Sequence, residues 1–236
     1  MDERILMIRD EERKYHEACY EQHQLFEPGS WLNKPVITVM DTLKAFDAYE
    51  ELSVLDLGSG VGRNSIPIAQ SLKSRSGQVV CVDILEQALE KLKEYSDTYG
   101  VNSYISTHLS DIGDYEIKPE GFDYIITVSS LEHVASEQIF TDVIRKMVCG
   151  TKVNGINCLI VNTNCQEIDL LSGSLLEPMM EVNLATEKAA NIFAEAYQGW
   201  DISYTTVKQL EFTIERNERP VLLKSDCITY VARRVN

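Results

Sequence analysis

The chain has 236 residues, 44% apolar and 25% charged, which suits one globular core with an extension rather than two full domains. Lys and Arg number 22 against 37 Asp and Glu, and a formal net charge of −15 repels polyphosphates and anionic bilayers, so neither nucleic acid nor a membrane is an expected partner. No apolar run approaches the ~18 residues that cross a bilayer, the opening MDERILMIRDEERK is too charged for a secretory leader, and Cys19, Cys81, Cys149, Cys158, Cys165 and Cys227 lack CxxC spacing, so a cytoplasmic chain with reduced thiols is expected.

Residues 1–50 are helical and amphipathic in pattern, broken at Pro28-Gly29-Ser30 and at Pro35, and are expected to form an N-terminal extension or lid on a main domain over 51–236. From Leu52 onward short β-branched runs alternate with helical ones. A strand over 53–57 leads through a glycine loop into a helix reaching about Lys73, where Pro67 is tolerated because first-turn N–H groups have no intrahelical partner. A second strand over 78–82 ends on Asp83. Leu85, Ala88, Leu89 and Leu92 then follow helical spacing, with Gly100 as the stop.

Strands are expected over 101–107 and 122–128, then a helix capped by Ser136 with Ile139, Phe140, Val143, Ile144, Met147 and Val148 as its buried stripe. A fifth strand over 156–162 follows, then a Leu- and Met-rich insertion over 165–185 and a helix near 186–197. Strands separated by helices imply right-handed βαβ units and a parallel sheet. The last two strands, over 201–214 and 221–233, are joined by the short linker ERNER and so pair antiparallel.

The stretch VLDLGSGVGRN places Asp56, Gly58, Gly60 and Gly62 at the first strand-to-helix junction. Glycines there permit a tight turn and a close backbone approach to a ligand. The spacing is G-x-G-x-G, which differs from the dinucleotide-binding G-x-G-x-x-G. Asp83 closes the second strand, where a carboxylate can accept both hydroxyls of a ribose, and Asp111 follows the third, where it can accept from an exocyclic amine. The alternatives are structural: Asp83 as a helix N-cap and Asp111 as a turn former.

D-x-G-x-G-x-G with an acid closing the second strand resembles the class I S-adenosylmethionine-dependent methyltransferases. That resemblance implies a Rossmann-like, seven-stranded, mostly parallel α/β sheet with a reversed C-terminal β-hairpin and S-adenosylmethionine as cofactor. It implies that Gly58 and Gly60 pass beneath the methionine portion and that Asp56 holds its amino group. Asp83 would take the ribose, Ile84 the adenine face, and Asp111 with Ile112 the adenine edge. Ser59 and Asn64 of the loop, and Val128 at the start of the run VSSLEHV, complete the implied cofactor set. Within the class, GRNSIPIA, TKVNGINCLIV and AYQGW are similar to the tellurite-resistance methyltransferases and their small-molecule relatives. The chain departs from them in reading Val153-Asn154-Gly155 for Pro-Gly-Gly, and Glu211-Phe212 for a His-Arg pair.

An S-adenosylmethionine methyl is already activated by its positive sulfur, so the protein must place a nucleophile in line and exclude water, and no metal is needed. The implied function is methyl transfer to a small-molecule acceptor; a catalytically silent binding subunit or a protein methyltransferase are the alternatives. His16, Cys19 and His23 lie on one face of the N-terminal helix, among Tyr15, Tyr20, Phe26 and Trp31. That face packs on the sheet, lines an acceptor pocket, or holds a metal. His133 is a proton acceptor or a structural histidine, and the 165–185 insertion is an acceptor-site cap or a satellite core. A homodimer is also compatible with the sequence.

Overall fold

The alternation of strands and helices is realised in a computed structural model that describes residues 3–216 and 219–236. The elements are α1 (Glu3–Gln22), α2 (Ile37–Leu43), β1 (Glu51–Leu57), α3 (Ser65–Ser71), β2 (Ser76–Asp83), α4 (Glu86–Thr98), β3 (Ile105–Leu109), β4 (Phe122–Val128), α5 (Glu137–Gly150), β5 (Thr151–Asp169), β6 (Leu175–Leu176), α6 (Thr186–Ala196), β7 (Asp201–Arg216) and β8 (Arg219–Arg233). The sheet runs β3-β2-β1-β4-β5-β8-β7, and β6 pairs with β5 off that path. The first five strands pair parallel, while β8 is antiparallel to both β5 and β7. Chain order reverses between β1 and β4, and the crevice above such a switch point is where open α/β sheets bind ligands.

Period-two alternation sorts the parallel strands onto two cores. Val54, Val79, Cys81, Tyr124 and Ile126 face one side, where they meet Val39, Ile66, Ile68 and Leu92. Leu55, Leu57, Val82 and Ile125 face the other, against Phe140, Val143, Ile144, Met147 and Phe193. Ser136 caps α5 as its sequence suggests, its hydroxyl accepting from the Ile139 N–H at 3.2 Å. On α1 the inward positions are Ile5, Ile8, Cys19 and Tyr20. Among the described residues no helix is long and apolar enough to cross a membrane. All six cysteines are free thiols.

Several boundaries differ from the sequence reading. The third strand starts at Ile105, because Asn102–Tyr104 forms a 3-10 turn first. The helix after the glycine loop tightens into a 3-10 turn at Leu72–Ser74 before reaching its expected end. β5 runs to Asp169, so the start of the expected insertion is strand, and β6 brings the sheet to eight strands rather than seven. The ERNER linker falls partly on residues 217 and 218, outside the described ones. β7 is the outer edge of the sheet, and none of its 16 residues is buried.

Gly77 shows how closely β1 and β2 approach. Its φ is +149°, and a Cβ there would lie 2.2 Å from the carbonyl oxygen of Leu52, a backbone atom with no room to yield. Gly77→Ala is therefore expected to destabilise the fold by roughly 2–4 kcal/mol. Equilibrium urea unfolding checks this, and an unchanged midpoint refutes it.

Candidate functional site

The strand-to-helix junction after β1 is held down by the end of β2. The Gly58 and Ser59 N–H groups both donate to the Val82 carbonyl, at 2.8 and 3.1 Å. Gly60 N–H donates to Asp83 Oδ2 at 2.7 Å, and Asp83 Oδ1 accepts from Leu85 N–H at 2.9 Å. Asp83 thus steadies the entry to α4, but the cap position itself is Leu85, so the N-cap alternative does not hold in that form. Gly58 and Gly60 have φ of +77° and +54°, a region that favours glycine. A Cβ on Gly58 would strike the Ser130 side chain at 2.3 Å. Ser130, from the segment after β4, donates its hydroxyl to the Leu57 carbonyl at 2.7 Å, which ties that segment to the same junction.

Asp56 is fully enclosed beneath this loop and accepts a short hydrogen bond from the Ser65 hydroxyl. Burial pushes its pKa up to about 7, against the Ser65 hydrogen bond and with help from the nearby Asp83 charge. Burial also raises Asp83, although its backbone hydrogen bonds oppose that. Asn64 is buried with its carbonyl oxygen accepting from Val36 N–H at 2.9 Å, so it anchors the start of α2. Ile112 is buried, Val128 is half-buried, and Ile84 is 48% exposed, an open apolar surface next to Asp83.

Helix α1 reaches both halves of this crevice. At one end the Tyr20 hydroxyl lies 3.2 Å from where a Gly60 Cβ would sit. At the other, Arg9 donates to Asp111 Oδ2 at 2.7 Å and to the His133 carbonyl at 3.4 Å, and lies 3.7 Å from Glu181 Oε1. Asp111 Oδ1 also accepts from Gly113 N–H at 2.8 Å, so the turn reading of Asp111 is satisfied together with its ion pair. His133 Nδ1 bonds Glu181 Oε2 at 2.9 Å. Arg216, at the end of β7, pairs with Glu167 at 3.2 Å and with Glu12 at 3.8 Å.

The two histidines of this region are held in opposite charge states. Burial works against a charge on His133, but the Glu181 hydrogen bond and the fields of Glu12, Glu132 and Glu181 outweigh it and bring its pKa to about 9. Burial pulls His16 down to about 4, helped by the positive His133. His16 is packed against Tyr15, Tyr20 and Trp31, and its Nδ1 is buried without a hydrogen-bond partner. His23 lies beyond the end of α1, beside Gly29. Arg9, Glu12 and Glu181 were missed by sequence reasoning. On α1 the signal was present: Arg9, Glu12 and His16 continue the stripe begun by Ile5 and Ile8.

The residues present fit an adenosyl ligand. Ser59 Oγ is buried in the loop with no hydrogen-bond partner, and the backbone at Gly60 is open only as far as Tyr20. Ile84 offers an exposed apolar contact next to a carboxylate.

A family model described as a methyltransferase domain matches residues 54–155. Phosphoethanolamine N-methyltransferase 1 of Zea mays is 30% identical over 115 residues, which are 49% of this chain and 22% of that protein. Protein-lysine N-methyltransferase EFM4 of Saccharomyces cerevisiae is 25% identical over 122 residues, 52% of this chain and 47% of the relative. The chain thus spans less than half the length of either. Among solved structures, TehB from Haemophilus influenzae superposes with a TM-score of 0.60 at 23% identity, over 83% of this chain and 62% of that one, a likeness of fold.

The buried carboxyl generates a prediction. Asp56 has a native pKa near 7 against an ordinary 3.8, so the folded state holds the extra proton across that interval. Stability then falls as pH rises from about 4 to 7 and levels off above it. Without ligand, Asp56→Asn should remove this slope and be the more stable protein at pH 8, by on the order of a few kcal/mol. Unfolding midpoints of both proteins between pH 5 and 8 check it; parallel profiles refute it.

Proposed function

We propose that this chain, in which residues 54–155 match a methyltransferase-domain model, is of the class I S-adenosylmethionine-dependent type and transfers a methyl group to a small-molecule acceptor by in-line displacement. The observation that carries the reading is the convergence of Asp56, the glycine loop and Asp83 at the switch point beneath α1. When bound, S-adenosylmethionine supplies the activated methyl group, so the protein's work is binding, alignment and exclusion of water.

Asp83 uses one lone pair of each oxygen on Gly60 and Leu85 and keeps the others for the ribose hydroxyls. Ile84 gives adenine an apolar face, and Ile112 and Asp111 its edge, with Arg9 sharing the Asp111 carboxylate. Ser59 and Val128 lie along the same cradle, and Asn64 keeps it attached to α2. Asp56 would hold the amino group of the methionine portion, giving up its carboxyl proton to solvent as it pairs with that positive charge. The acceptor enters between α1 and the segment after β4, with His16 and His133 on its two sides. The maize relative, named for a small amine, supports a small acceptor. The yeast relative, named for protein lysine, favours a second reading with a protein acceptor. Incubating the protein with methyl-labelled cofactor and size-fractionated extract decides between them, and no label in any fraction overturns both.

Two outcomes follow for the cofactor. Asp83→Ala should weaken S-adenosylhomocysteine binding by about 30- to 1,000-fold, or roughly 2–4 kcal/mol, by removing hydrogen bonds to a charged group. Calorimetry in buffers of different ionisation heat should also show proton release on binding near pH 6.5, from Asp56. Near-normal affinity with a collapsed unfolding midpoint would make Asp83 purely structural.

A further inference from the structure

His133 has one nitrogen committed. Its Nδ1 lies 2.9 Å from Glu181 Oε2, and the Glu181 side chain is only 1% exposed against 28% for the imidazole. The pair is bracketed by backbone, since Val182 N–H donates to the Glu132 carbonyl at 3.0 Å and sets the residues after Glu181 and before His133 side by side. Arg9 holds the other Glu181 oxygen at 3.7 Å and the His133 carbonyl at 3.4 Å. The carboxylate therefore cannot swing away without breaking contacts on two sides. Among the described residues no hydrogen bond engages Nε2.

From this arrangement we infer that Glu181 is a positioning residue: it fixes His133 with Nδ1–H donated to its carboxylate, so that Nε2 faces the acceptor site, and its charge favours the cationic ring in which Nε2–H is a donor. The inference rests on the reading of this crevice as a methyl-transfer site and adds the role of one histidine to it. Ring orientation, tautomer and charge of a histidine are commonly set by the partner of its other nitrogen. The surroundings act in the same sense. Glu12 faces His133 from α1, Glu132 adjoins it, and Glu167 lies beyond with its charge matched by Arg216. Against these stands the charge of Arg9, while His16, also on α1, is neutral and adds none. The balance favours the cationic ring and brings its pKa to about 9. A cation at this place does not accept a proton from the nucleophile. It donates to an oxygen or anion of the acceptor and helps to align it.

The sequence reading allowed His133 to be a proton acceptor or a structural histidine; the geometry points to a third role. Its consequence for substrate choice is direct. An acceptor suited to this crevice brings an electron-rich atom to Nε2–H and a nucleophile that does not need His133 as its base.

Nitrogen-15 NMR of the histidine rings tests this without any acceptor or turnover. In the wild-type chain the His133 ring, assigned by its loss in His133→Gln, should titrate near pH 9 and become the Nδ1–H tautomer above that. In Glu181→Gln, which keeps the shape and loses the charge, its proton affinity should fall at least tenfold. Glu181→Asp should restore part of it, and His16 should keep its low titration midpoint in both variants. An Nε2–H tautomer in the wild-type protein overturns the inference even if the variants do not fold. So does an unshifted His133 midpoint in a folded Glu181→Gln. Loss of methyl transfer with the NMR pattern intact would instead count against the proposed function.

Discussion

The crevice depends on one small set of hydrogen bonds, those that fasten the turn after β1 to the end of β2. A chain leaving a parallel strand has peptide groups that the sheet no longer satisfies, and burying them unpaired is costly. Here Gly58, Ser59 and Gly60 direct their N–H groups sideways, to the Val82 carbonyl and to Asp83. The register that places Leu57 beside Val82 makes this reach possible. The anchoring also brings Asp56 and Asp83 into one electrostatic neighbourhood, and both carboxyls are buried and raised.

Above the turn, α1 is joined to the sheet by charges as well as by apolar packing. Arg9, Glu12, His133, Glu167, Glu181 and Arg216 form a chain of contacts from α1 to β5, the segment before α6, and the end of β7. Such partly buried ion pairs contribute little net stability, because desolvation offsets most of the attraction. Their effect is on placement: removing any one partner leaves another charge uncompensated. The seat of the helix over the crevice is thus specified by these charges together with the buried Ile5, Ile8, Cys19 and Tyr20.

Much of this was legible in the sequence where local pattern and tertiary role agree. The glycine loop, the acid at the end of β2, the stripes of α4 and α5, and the antiparallel pairing of the last strands were read from spacing alone. β5 was cut short because polar residues interrupt its apolar run after Val161. In the structure Thr163, Glu167 and Asp169 are nonetheless buried, since β8 covers them and Arg216 and Arg219 neutralise the two acids. That compensation comes from residues about fifty positions away, and no local rule reports it. For the same reason Glu181 escaped notice, while the order of its surroundings was partly visible. His23, placed with His16 on one helix face, lies beyond the helix end, where the 3.6-residue period no longer applies.

The bare outer strand has a consequence of its own. β7 pairs with β8 along one edge and, among the described residues, leaves its other edge without a strand partner, with Tyr204, Val207 and Phe212 among its exposed side chains. Edges of this kind invite edge-to-edge joining between molecules. Lys208, Glu211 and Glu215 punctuate the ladder, and the net charge of −15 makes every encounter between copies repulsive at long range. Colloidal behaviour is thus tied to ionic strength: salt shortens the reach of that repulsion to about 8 Å at physiological concentration, leaving the gatekeeper charges on the strand itself as the barrier at contact.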